Sequence, residues 1–193
     1  MNIDSSLFQS FRRCILHYCP VLGNMLQEPH KREELELLLD KLGIQNLTYR
    51  DLYLLTNGID NDGKYPTSAY DFCDFGVIPT IEFVSKLLKV DALKGIWTNS
   101  RFPVITSFAG DYLLLETANP NLGKLLLYSP NLGYVTDLPT YYDSIDSMFR
   151  TIISCFEIGA YRYDTNTMTL ITDIALKFEI SRQYNPFSSY WNS

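Results

Sequence analysis

Apolar positions along the chain recur first at helical spacing and then at strand spacing. Phe8, Phe11, Ile15 and Cys19 fall on one helical face, with Arg12 and Arg13 toward the other side. Ser5 and Ser6 are the candidate caps of this helix and Pro20 its stop. A second helix is expected over about residues 30–42, where Leu35, Leu38, Leu39 and Leu42 form a stripe and Gly43 supplies the left-handed end. A third begins near Thr48. Asp51 follows at the capping-box position, and Leu47 and Leu52 stand at hydrophobic-staple spacing. Leu52 and Leu55 should point inward, and Asn57-Gly58 should end the helix. A short fourth helix over about residues 80–89 would bury Ile81, Val84, Leu87 and Leu88.

The period then changes. Strands are expected over residues 102–106, 111–116, 124–129 and 134–137. The turns Ala118-Asn119-Pro120-Asn121-Leu122-Gly123 and Pro130-Asn131-Leu132-Gly133 are too short for a crossover, so pairing is antiparallel. Leu113-Leu114-Leu115 and Leu125-Leu126-Leu127 place apolar side chains on both faces, so both should be covered. Asp143 or Ser144 would cap a helix over residues 145–158 with the stripe Ile145, Met148, Phe149, Ile152 and Phe156, ended by Gly159. Residues 160–163 read as a further strand. Residues 169–184 read as a helix with Ile171, Ile174 and Phe178 inward, stopped at Asn185-Pro186, with Tyr190-Trp191 folding back. The expected class is α+β: an antiparallel β-meander of about four to six strands flanked by helices, in a single domain of residues 1–193.

Between the third and fourth helices, residues 59–76 read as a long acidic, aromatic loop. It carries Asp60, Asp62, Asp71 and Asp74 beside Tyr65, Tyr70, Phe72 and Phe75. Its opening, Asn57 to Pro66, imitates two ligand loops. As Gly58-x-x-x-x-Gly63-Lys64 it approaches a phosphate-binding loop, but Tyr65 replaces the magnesium-binding hydroxyl residue. A helix precedes it instead of a strand, and Asp60 and Asp62 would repel phosphate. As a calcium loop it puts Gly58 and Ala69 where carboxylates are needed. Nor does the sequence indicate an apolar pocket for Asp60 or Asp62 of the kind a glycosidase pair needs. An acidic turn remains, facing either solvent or a partner.

Net charge changes the picture of that partner. With 16 basic and 22 acidic side chains the chain carries −6, which argues against direct nucleic-acid binding and permits a basic partner. Residues 1–9 lack a basic region followed by a long apolar stretch, and no apolar run approaches the ~18 residues of a membrane span. The expected compartment is the cytoplasm, with Cys14, Cys19, Cys73 and Cys155 reduced. Cys14 and Cys19, on either side of His17, lie five residues apart and do not share a helical face, and His30 is the other histidine, so no four-ligand zinc site is expected. Nothing pairs Cys73 or Cys155 with a histidine, and the serine-hydrolase, zincin and dinucleotide signatures are missing. Neither an enzyme nor a cofactor is expected.

The order of features is informative in itself. A helix closed by Asn57-Gly58 precedes an acidic loop and a short helix. Phe102-Pro103-Val104-Ile105 and Gly110-Asp111 follow, then the meander, a Ser144-led helix, and the tail Asn185-Pro186 to Tyr190-Trp191. This order resembles the SUKH superfamily, which contains bacterial toxin-immunity proteins and a fungal cell-wall scaffold protein, best over about residues 31–156. The helix near residues 5–19 is an addition to that pattern, and Ser144-Ile145-Asp146-Ser147-Met148-Phe149 departs from the aromatic and acids the family often has there. The resemblance implies binding without catalysis: an immunity protein that blocks a cognate toxin, often a nuclease, in the cytoplasm. The alternative it implies is an intracellular scaffold or regulatory interaction domain. A small-ligand module is a third reading. The expected partner surface is Asp60, Asp62, Tyr65, Tyr70, Asp71 and Asp74, with Asn57, Gly58, Gly110 and Asp111 as structural residues. The competing expectation is that the loop's aromatics close the core.

Overall fold

The computed structural model describes residues 3–60, 76–90, 96, 100–107 and 109–193. It has an α+β architecture. Helices α1 (Ser5–Tyr18), α2 (Pro20–Met25), α3 (Arg32–Lys41), α4 (Leu47–Tyr53) and α5 (Ile81–Leu87) come first. The strands β1 (Arg101–Thr106), β2 (Tyr112–Glu116), β3 (Leu125–Tyr128) and β4 (Thr140–Tyr142) then form an antiparallel meander in that spatial order. Helix α6 (Ile145–Ile158), the hairpin β5 (Tyr161–Asp164) and β6 (Thr169–Thr172), and α7 (Ile174–Tyr184) complete it.

The apolar runs in β2 and β3 are buried on both faces. Leu113 and Leu115 face the main core with Leu125 and Leu127, while Tyr112 and Leu114 join Leu87 and Ile96 in a smaller cluster. In the main core, Phe8 and Phe11 of α1 meet Phe149 of α6 with ring centroids 5.7 and 4.6 Å apart. The first helix is therefore part of the same core as α6. Among the described residues no helix is long and apolar enough to cross a membrane.

Local chemistry moved several expected boundaries. Asp4, not Ser5 or Ser6, caps α1: its carboxylate accepts from the backbone N–H groups of Ser6 and Leu7. A carboxylate there also meets the positive end of the helix dipole. Pro20 follows the end of α1 but also opens α2, where its missing N–H costs nothing. Asn46 caps α4 through Tyr49 N–H (2.9 Å), so Thr48 is already helical and the capping box with Asp51 does not form. Leu47 is 55% exposed, which rules out its staple with Leu52.

The second half differs from its expected elements at two places. Residues 134–137 are not a strand. Tyr134 only closes the Pro130–Leu132 turn by bridging Ser129, and β4 begins later, at Thr140. Residues 169–172 are strand β6 rather than the start of a helix. Thr169, Leu170, Ile171 and Thr172 pair with β5, and Asp173 then caps α7 through Leu176 N–H. The register consequently turns Ile171, Ile174 and Phe178 outward, at 46%, 77% and 36% exposure. Lys177, Ile180 and Ser181 are the buried face of α7 instead. By contrast α6 matches its sequence bounds, with a Ser144–Ser147 capping box in front and Gly159 behind. Trp191 is buried against Tyr141 (4.6 Å between centroids).

Both edges of the meander are engaged by other segments of the chain. Val77 exchanges hydrogen bonds with Thr106 at the end of β1 (3.1 and 2.9 Å). At the opposite edge, Thr140 of β4 donates to Ser189 Oγ and accepts from Ser188 Oγ and Tyr190 N–H. Sheet edges covered in this way do not template aggregation.

Candidate partner-binding groove

Helix α4 ends at Tyr53, a turn at Leu54 and Leu55 follows, and residues 56–59 lead to the bridge between Ile59 and Pro79 just ahead of α5. The helix therefore stops before Asn57-Gly58, contrary to the sequence expectation, and the pair serves another purpose. Gly58 has φ +72°, and a Cβ there would lie 2.5 Å from the Pro79 carbonyl oxygen and 2.6 Å from that of Ile78. This close approach lets Ile59 N–H reach Ile78 C=O (2.9 Å) while Gly58 C=O accepts from Gln27 N–H (2.7 Å). Three separate segments, around residues 26–27, 58–59 and 77–79, are laced side by side and onto β1.

Asn57 ties this lacing to α5. Its Oδ1 accepts from Ile81 N–H (3.0 Å), one of the unpaired donors of the helix start, while Thr80 serves Phe83 N–H. Its Nδ2 donates to Glu82 Oε2 (3.1 Å). Glu82 Oε1 in turn lies 2.8 Å from His30 Nε2. Partial burial alone would raise the Glu82 pKa, but the Asn57 donor, its own backbone N–H and His30 together outweigh it and hold the carboxyl below its ordinary value. Behind the groove the buried phenols of Tyr49 and Tyr53 donate to Pro103 C=O and Pro79 C=O, both at 2.9 Å.

The result is a groove of about 590 Å³ between the start of α5, the laced segments and the end of β1. Asp60 and Val77, which stand on either side of the stretch 61–76, both line it, together with Glu82, Phe83 and Lys86 of α5 and Ser107. Phe83 is 44% exposed. Of the residues expected at the partner surface, Asp60 is exposed on the groove. Asp62, Tyr65, Tyr70, Asp71 and Asp74 lie outside the described residues, as do Gly63, Lys64, Phe72, Cys73 and Phe75. Asn57 and Gly58 line or underlie the groove. Gly110 and Asp111 sit in the turn beside it: Asp111 N–H donates to Ser107 Oγ (3.0 Å) and its C=O accepts from Ser107 N–H (3.0 Å).

Gln27, His30, Glu82, Phe83 and Lys86 were not foreseen as site residues. A signal existed for Phe83, an aromatic standing off the Ile81, Val84 and Leu87 stripe of its own helix. None existed for the His30–Glu82 contact, which joins positions 52 apart in sequence. Cys14 and Cys19 are buried, and burial first, then Glu157 near Cys14 and Cys14 near Cys19, pushes both thiols up to about 12. His17 is exposed against Tyr18. Among the described residues no three His, Cys, Asp or Glu side chains converge as metal ligands.

No family model matches the chain, and no curated protein matches it.

Proposed function

We propose that this chain is an immunity-type binding protein that neutralises a cognate toxin by covering it, as its resemblance to the SUKH superfamily implies. The supporting observation is the groove at the mouth of the acidic segment. There an exposed aromatic, Phe83, stands beside the carboxylates of Asp60 and Glu82, on a frame fixed by Asn57 and Gly58. A rigid aromatic gives contact area at low entropic cost, and flanking acids select a basic partner and speed its arrival. The protein acts by occupancy in the cytoplasm, where the buried thiols of Cys14, Cys19 and Cys155 stay reduced.

The test is co-expression with the effector encoded beside it. Survival of the host, with a stable complex recovered from the lysate, is the expected result. Unrelieved toxicity without a complex would overturn the reading. Complex formation without protection would favour an interaction scaffold instead.

A further inference from the structure

The groove's donors are largely spent within the protein. Asn57 Nδ2 goes to Glu82, Gln27 Nε2 to Met25 C=O (3.0 Å), and Ser107 Oγ is held toward Asp111 Oδ2 (3.4 Å). The acceptors are not spent. A carboxylate offers about four lone-pair sites. The described contacts of the Glu82 carboxylate are Asn57, His30 and its own backbone N–H, which leaves acceptor capacity, and Asp60 is exposed to solvent. Among the described lining residues two carboxylates stand against one ammonium, Lys86. Among the described apolar residues that line the groove, Phe83 is the exposed one. Such a groove asks for a cation that is rich in donors and can lie flat on an aromatic ring.

We infer that the groove receives an arginine side chain of the partner, its guanidinium on Phe83 and its N–H groups on Asp60 and Glu82. Guanidinium is planar, weakly hydrated and forked, and it stacks on aromatic faces; a lysine ammonium is a hydrated point charge that uses the same acids but gains less from the ring. Lys86 is the opposing element, because its charge weakens any cation that enters. This inference rests on the binding role proposed above and narrows it to one side-chain chemistry.

The probes are N-acetyl-arginine-N-methylamide and its lysine counterpart, titrated into the full chain and followed by backbone amide shifts. The arginine probe should move resonances around Asp60 and residues 81–86 and bind about threefold more tightly than the lysine probe, the factor a solvent-exposed ring contact provides. Phe83→Leu should erase that preference while leaving the fold's spectrum intact. Lys86→Glu, at an exposed position, should tighten the arginine probe. Equal affinities of the two probes, shifts located elsewhere, or no gain from Lys86→Glu would overturn the inference. Failure here is separable from failure of the binding role. An effector complex indifferent to Phe83→Leu and Lys86→Glu defeats the arginine site alone, whereas lack of any effector complex defeats the role while leaving the probe result standing.

Discussion

Replacing Gly58 by Ala should be among the most damaging single-methyl additions in this protein. Two effects add. A non-glycine residue in the left-handed region costs roughly 1–2 kcal/mol. In addition, the new Cβ would lie 2.5 Å from Pro79 O and 2.6 Å from Ile78 O, both backbone atoms that no side-chain rotation can move. Relieving such an overlap by shifting backbone costs about 1–3 kcal/mol. It also threatens the 2.9 Å Ile59–Ile78 and 2.7 Å Gln27–Gly58 hydrogen bonds. The total is about 2–5 kcal/mol, a large share of the stability of a typical domain. Gly43 is the control: its φ is +70°, yet a Cβ there meets nothing within 4 Å. Gly43→Ala should therefore cost only the conformational part, about 1–2 kcal/mol. Urea unfolding of both variants, read as midpoint shifts at constant slope, separates the terms. Equal losses for the two substitutions would refute the claim that close backbone approach, and not helix termination, explains Gly58.

Three further outcomes are expected. Asn185 is fully buried, taking Asp143 N–H on Oδ1 (3.1 Å) and donating to Thr151 Oγ1 and Ser181 C=O (3.0 and 2.8 Å); Asn185→Ala should cost about 1–3 kcal/mol in urea unfolding, the penalty of orphaned buried groups, and a neutral result would contradict this. The folded Glu82 pKa lies below its ordinary value, so its contribution to stability is complete above that ordinary value and is lost as pH falls through the lowered folded value. Unfolding midpoints measured from pH 6 to pH 3 should fall less steeply for Glu82→Gln than for wild type, and parallel curves would count against the Asn57–Glu82–His30 arrangement. In a Cys73→Ser background, Cys14, Cys19 and Cys155 should resist alkylation at pH 8 until urea is added, because all three are buried and the first two thiols titrate only near 12. Rapid labelling of the folded protein would contradict that burial.

Legibility in the sequence followed the range of the interactions that decide each feature. Helix α6 was readable from Ser144 to Gly159 because its cap, apolar stripe and stop are all local. The paired leucine runs of β2 and β3 were readable for the same reason. Caps of equal local merit were not separable: Asp4 competes with Ser5 and Ser6, and Asn46 with Thr48. Residues 169–172 went astray because apolar positions at 171, 174 and 178 fit a helical period, while the partner strand that overrides it lies across a turn. The groove was half legible. Asp60 and Asn57-Gly58 stood out in the sequence, but the Asn57–Glu82 bond joins positions 25 apart, and no local pattern announces it.

The most direct test of the binding role is calorimetric titration of the adjacent effector into wild-type protein and into an Asp60→Asn, Phe83→Ala double variant whose unfolding midpoint is unchanged. Loss of an aromatic anchor and a facing charge should weaken the complex by about tenfold or more, roughly 1.4 kcal/mol, and flatten its dependence on salt. An affinity and salt dependence identical to wild type would contradict the assignment of the groove as the partner surface.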